Sequence, residues 1–153
     1  MSVTSSAAVA SIRERFGVEP VVDDRLVTVA VSREQWQPFA RFARETLGCL
    51  YLNFLSAVDW KEEGLEVICR VENLEPGGVV LMMRTKLGAG ESHCPTLTSV
   101  WKGTNWMERE CYDMFGIVFD GHPDLRRLLL ADDWAGGPPL RKDFVDNGYA
   151  PYR

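Results

Sequence analysis

The amino-acid sequence predicts an α+β fold, a two-layer sandwich in which a mostly antiparallel sheet of about four strands carries two helices on one face. An extended C-terminal segment completes it. Three observations carry this expectation. Leu65, Val67, Cys69 and Val71 alternate with Glu66, Ile68, Arg70 and Glu72, the pattern of a half-buried strand. Glu75-Pro76-Gly77-Gly78 is a strong turn that joins this strand to Val79–Leu87 as a hairpin. Trp36, Phe39, Ala40, Ala43 and Leu47 recur at helical spacing on one face. Helices therefore alternate with antiparallel strands rather than with parallel crossovers.

The elements follow in order. Residues 1–6 are expected to fray. Ala7–Phe16 is rich in helix formers and stops at Gly17, so a short first helix is expected. Arg25–Val31 alternates, with Val27, Val29 and Val31 on one face, and reads as a strand. Ser32 and Gln35 have the form of a capping box opening the second helix, with Gly48 as its stop. Pro38 conflicts with that helix, because an interior proline costs about 3 kcal/mol; a kink or a later start is expected there. Leu50–Val58 is almost continuously apolar and supplies a further strand. Gly88–Pro95 reads as the loop joining the sheet to the C-terminal third. Residues 1–103 are thus expected to form the sheet domain, and 104–153 a charged helix with an extended segment, within one structural domain overall.

Composition narrows the function classes. A chain of 153 residues accommodates one domain with a real core. Its net charge of −5 argues against a nucleic-acid binder, which carries a basic stripe. No apolar run approaches the ~20 residues that cross a bilayer, and the N-terminus does not read as a secretory signal. The expectation is a cytosolic chain that meets a membrane only indirectly, through partners.

Candidate chemistry is sparse. Cys49, Cys69, Cys94 and Cys111 include no close pair of the kind that begins zinc or iron–sulfur ligation, and read as free thiols in or near the core. Gly88-Ala89-Gly90 lacks the third glycine and the lysine–serine pair of a phosphate cradle and reads as a plain loop. His93 reads as an exposed loop residue.

The most informative stretch is Asn105–Phe144. Trp106, Glu110, Asp113 and Met114 are helix-spaced, Arg109 and Asp113 have the spacing of an i,i+4 ion pair, and Gly116 suits the position just past the helix. Two breaks follow, Asp120-Gly121-His122-Pro123 and Gly136-Gly137-Pro138-Pro139. From Gly121 to Asp143 the four acids Asp124, Asp132, Asp133 and Asp143 balance the four bases Arg126, Arg127, Arg141 and Lys142. A segment with many ion-pairing groups and short apolar clusters suits contact with another surface. Glu108, Glu110 and Asp113 could serve as acid–base groups, but charges on a short helix more often form ion pairs, within a chain or across an interface. Histidine titrates near neutral pH in general, so His122 has two readings, a hydrogen bond that satisfies the turn or a proton relay.

These residues also carry a resemblance. Glu108-Arg109-Glu110, Asp113-Met114-Phe115-Gly116, Gly121-His122-Pro123-Asp124-Leu125-Arg126-Arg127 and Pro139-Leu140-Arg141-Lys142-Asp143-Phe144 resemble the motifs of the C subunit of NADH-quinone oxidoreductase. That subunit belongs to the peripheral arm of respiratory complex I. Ala57-Val58-Asp59-Trp60 is similar to the family as well. Gly136-Gly137-Pro138 departs from it, where the family commonly shows a single His or Gly.

The resemblance implies a cofactor-free scaffold on the cytoplasmic side of the plasma membrane. NADH, FMN, the iron–sulfur clusters and quinone would belong to the whole complex. Its partners would be the large quinone-proximal D subunit and the iron–sulfur B and I subunits. With no catalytic, cofactor or metal residue expected, the candidate site is an interface with other subunits. Its residues are Glu108, Arg109, Glu110, Asp113, His122, Asp124, Arg126, Arg127, Asp133, Arg141, Lys142 and Asp143. Two other readings stay open. One is the equivalent subunit of a related complex, such as a membrane-bound hydrogenase or an F420H2- or ferredoxin-linked quinone reductase. The other is a stand-alone small enzyme, which would need His122, Glu110 and Asp113 in one pocket.

Overall fold

The first helix, α1 (Ser5–Phe16), starts where the Thr4 side chain accepts from the Ala7 N–H, and it ends at Gly17, whose φ of +66° is the left-handed stop the sequence predicts. A computed structural model describes residues 3–146 and residue 148. Residues 1, 2, 147 and 149–153, which belong to the expected frayed start and C-terminal segment, lie outside the described residues. The second helix, α2 (Arg33–Glu45), opens on the expected capping box between Ser32 and Gln35. It runs through Pro38 rather than starting there. Pro38 sits in the second turn, so its missing N–H forfeits a single bond to the Glu34 carbonyl. Trp36, Phe39, Ala40, Phe42 and Ala43, all buried, hold the helix across it. Phe16 packs edge-on against Phe39 and Phe42 at centroid distances of 4.9 and 5.2 Å and ties the two helices together.

The strands are β1 (Val21–Asp23), β2 (Leu26–Ala30), β3 (Tyr51–Asp59), β4 (Leu65–Glu72) and β5 (Val80–Gly88), arranged as a five-stranded sheet in the order β1-β2-β5-β4-β3. The fold is α+β, as predicted, and the β4–β5 hairpin is present. Two features exceed the prediction. The short β1 adds an antiparallel edge to β2, and β2 pairs in parallel with β5. Alternation marks which residues face the core but not which strand lies beside which. The inward rows meet across the sheet in register, Val29 opposite Met83, Met83 opposite Cys69 and Cys69 opposite Leu55.

The C-terminal third joins the same core. Here β6 (His93–Pro95) pairs in parallel with β7 (Val118–Asp120), and α3 (Thr104–Phe115) lies between them in sequence. This helix covers an edge of the sheet: Met107 Sδ accepts from the Leu55 N–H of β3 at 3.2 Å. Cys111, Phe115, Ile117 and Phe119 belong to one continuous hydrophobic cluster with Ile12, Trp36, Leu55 and Met83. No helix among the described residues is long and apolar enough to cross a membrane.

Candidate functional site

The predicted site residues divide into an inward and an outward set, and α3 sorts them. Its C-terminus is fixed by Gly116, whose φ is +71° and whose missing side chain leaves room for Pro138. Glu108, Arg109 and Asp113 are buried, whereas Glu110 is exposed.

Arg109 and Asp113 do not form the i,i+4 pair that their spacing suggests. Both reach the chain that follows β7. Arg109 donates from Nε to Arg126 O at 3.1 Å and from Nη2 to Arg127 O at 2.8 Å. Asp113 Oδ2 accepts from the N–H groups of Leu128, Leu129 and Leu130 at 2.9, 2.7 and 3.1 Å. The reason is a backbone requirement. Residues 126–130 belong to no helix or strand, so their carbonyls need a donor and their amides an acceptor. One cation and one anion a helical turn apart supply both.

Glu108 is enclosed, with its side chain fully buried. Oε2 accepts from the Thr96 hydroxyl at 2.6 Å and Oε1 from the Leu97 N–H at 2.7 Å. Burial pushes this carboxyl up to about 7, against the pull of those donors. His122 Nε2 lies 3.9 Å from Glu108 Oε2 but has its own acceptor, Asn105 O, at 3.0 Å. The Asp124 N–H donates to His122 Nδ1 at 3.0 Å. These contacts fit a donor at Nε2 and an acceptor at Nδ1.

The remaining segment folds back over α3. Its composition suits contact with another surface, and its described part packs on the same chain. Leu140 N–H donates to Met114 O at 2.9 Å and Arg141 Nε to Phe115 O at 2.6 Å, so both satisfy the last turn of the helix. Lys142 N–H donates to Asp59 Oδ2 at 2.7 Å, and Lys61 N–H to Asp59 Oδ1 at 2.8 Å. The Lys142 amide holds the Asp59 carboxyl below its ordinary range. Trp134 stacks on Phe144 at 6.2 Å, and Arg127 Nη2 donates to Trp134 O at 3.0 Å. Asp124, Arg126, Asp133, Lys142 and Asp143 are exposed, and Arg126 pairs with Asp124 at 2.9 Å.

Sequence reasoning missed Thr96, Met107 and Asp59 as parts of this arrangement. The Ala57–Trp60 stretch was the signal for Asp59; an unremarkable threonine and methionine offered none.

The chemistry available is limited. His122, Glu110 and Asp113, the set a stand-alone enzyme would need, have separate surroundings and separate exposures. The four cysteines are free and buried, and burial pushes the Cys49 thiol up to about 12 and the other three upward as well. Among the described residues, no group of three or more His, Cys, Asp or Glu is placed to hold a metal ion.

Residues 29–150 match the sequence profile of the respiratory-chain NADH dehydrogenase, 30 Kd subunit. The chain belongs to this family. The NADH-quinone oxidoreductase C subunit of Chlorobium phaeobacteroides is 38% identical over 145 residues, covering 90% of this chain and 87% of that protein. The Rhodobacter capsulatus C subunit is 44% identical over 136 residues, covering 83% of this chain and 64% of its own. The Geobacter metallireducens C subunit is 37% identical over 157 residues, covering 97% and 96%. Among solved structures, a trypsin-resistant fragment (residues 1–134) of Nqo5 superposes with a TM-score of 0.66 at 25% identity, over 78% of this chain and 98% of the fragment. A chain of a membrane-bound sulfane sulfur reductase, an archaeal respiratory membrane complex, gives a TM-score of 0.78 at 25% identity, over 94% and 87%. The 30 Kd-subunit match begins inside β2, so it takes in most of the sheet, the buried acids of α3 and the folded-back segment.

Proposed function

We propose that this chain is the C-subunit component of a proton-translocating NADH:quinone oxidoreductase, acting as a cofactor-free scaffold of its peripheral arm. Electrons would pass from NADH through the iron–sulfur clusters of other subunits to quinone, and this chain would fix the geometry those transfers depend on. It would sit on the cytoplasmic side of the plasma membrane, held there by partners, with the quinone-proximal D subunit foremost and the iron–sulfur B and I subunits nearby.

One observation carries the scaffold reading. The buried residues of α3 bind the chain's own loop, and apolar and charged side chains of the same third remain exposed. Trp106, Leu129 and Leu140 are 67%, 59% and 53% exposed. Glu110, Arg126, Lys142 and Asp143 are exposed along the same third of the chain. Exposed aromatic and aliphatic groups amid charges are the composition of an interface centre with its polar rim. The trypsin resistance of the Nqo5 fragment also favours a body that stands without the far C-terminus.

A second reading has one observation in its favour, the likeness to the sulfane sulfur reductase chain. It would make this chain the same scaffold in a complex with another electron donor. The sequence relatives at 37–44% identity favour the NADH-linked complex. The test is purification of the native complex from membranes through a tag on this chain, with its components identified by mass spectrometry. NADH-binding and quinone-proximal subunits in stoichiometric amounts are expected. Recovery of hydrogenase- or sulfur-reductase-type subunits instead would replace the first reading with the second, and recovery of the chain alone would sink both.

A further inference from the structure

We propose that Glu108 is a buried proton-binding site, connected to the surface through the hydroxyls of Thr96 and Thr98. The geometry accommodates both states of the carboxyl without moving a heavy atom. Thr96 Oγ1 lies 2.6 Å from Glu108 Oε2 and 3.0 Å from Thr98 Oγ1, and it also accepts from the Thr98 N–H at 3.2 Å. With Glu108 ionised, the Thr96 hydroxyl donates to Oε2, and its lone pairs receive the two Thr98 donors. With Glu108 protonated, the carboxyl donates to Thr96 Oγ1, and the Thr96 hydroxyl turns to Thr98 Oγ1. The Leu97 N–H stays on Oε1 in both states. The carboxyl, the Thr96 hydroxyl and the Leu97 N–H are therefore matched either way, and the proton shifts along a row of oxygens from a fully buried carboxyl to half-buried Thr98.

Among the described residues, no Lys or Arg side chain pairs with the negative charge. Arg109, the next residue, points to the carbonyls of Arg126 and Arg127. His122 turns Nε2 to Asn105 O at 3.0 Å, and its Nδ1 accepts from the Asp124 N–H. From α2, Gln37 is bound to Thr96 O at 2.9 Å. Thr104 of α3 faces the carboxyl but gives its hydroxyl proton to Trp101 O at 2.8 Å. Cys69 of β4, Cys94 of β6 and Cys111 of α3 complete the wall as neutral thiols. A carboxylate enclosed by neutral groups binds a proton more tightly than one in water.

The experiment is a side-chain carboxyl titration of the full chain by carbon-13 NMR, with Glu108 assigned through bonds from its backbone in the wild type. The Glu108 midpoint is expected near pH 7, against about 4.3 for an ordinary glutamate. That resonance should be missing from Glu108→Gln, and Thr98→Val should lower the midpoint, because it leaves the Thr96 hydroxyl proton unpaired in the protonated state but only a lone pair unused in the ionised state. A Glu108 midpoint at or below the ordinary value overturns the proton site. A midpoint that Thr98→Val leaves in place overturns the hydroxyl route. The assignment does not depend on the Glu108→Gln variant folding.

Discussion

Asp113→Ala is the most direct test of how this chain holds its C-terminal segment. Asp113 Oδ2 accepts three consecutive backbone N–H groups, those of Leu128, Leu129 and Leu130. A hydrogen bond to a charged group contributes about 1.5–3 kcal/mol net, and a buried donor left unpaired costs about 1–3 kcal/mol. The three bonds share one oxygen, and the segment is only half-buried, so water can replace part of the loss. The expected cost is about 2–4 kcal/mol rather than the full sum. For a domain of this size that lowers the melting temperature by roughly 4–16 °C. Asp113→Asn, which keeps an acceptor oxygen but loses the charge, should cost about half as much. Limited trypsin digestion supplies the local readout, because Arg126 and Arg127 lie in the segment that Asp113 holds. Cleavage there follows the open population when opening is fast, so the same cost predicts roughly 30-fold to several-hundred-fold faster nicking. An Asp113→Ala chain that melts and is cut like the wild type would refute the reasoning.

Gly116→Ala places a side chain at φ +71° and within 3.0 Å of Pro138 Cγ; a loss of about 1–3 kcal/mol in urea unfolding is expected, and an unchanged midpoint would contradict it. Stability should also depend on pH through Glu108, whose carboxyl is pushed up from 4.5 to about 7. The folded chain then holds a proton that the unfolded chain has released, so this contribution is full below pH ~4.3 and is lost as pH rises through ~7, on the order of 3 kcal/mol in all. The difference between wild type and Glu108→Gln isolates it, and parallel pH profiles for the two would count against it. Arg126→Ala removes an exposed pair with Asp124, so the free chain should melt within ~1 kcal/mol of wild type. If Arg126 lies at a partner surface, the yield of assembled complex should fall more than the turnover of what assembles. Normal assembly with lost quinone reduction would reverse that expectation.

The fold was legible wherever local chemistry decides structure. Ser32 and Gln35 cap α2 as read, Gly17 and Gly116 end their helices in left-handed conformations, and Trp36, Phe39, Ala40, Ala43 and Leu47 are all buried. The parallel pairing of β2 with β5 was not legible, because β5 arrives beside β2 only after the chain has built β3 and β4. The pairings β6–β7 and β1–β2 rest on strands of three residues, too short to show a period.

The site was legible as a set of residues but not as a set of directions. Charges on a short helix read from sequence as a solvated or partner-facing surface, since ionised groups are rarely buried unless they are paired. On α3 that expectation holds for Glu110 and does not describe the burial of Arg109 and Asp113. What their charge serves is backbone rather than side chain. A segment with two breaks makes no helix or sheet, so it enters a half-buried position only if something else satisfies its amides and carbonyls. Arg109 and Asp113 do this for residues 126–130, and Asp59 does it for Lys142. The turn-rich composition of the segment and the charged composition of the helix are thus two sides of one requirement. Each was visible in the sequence; their pairing was not, because it joins residues about 15 positions apart through backbone atoms that every residue shares.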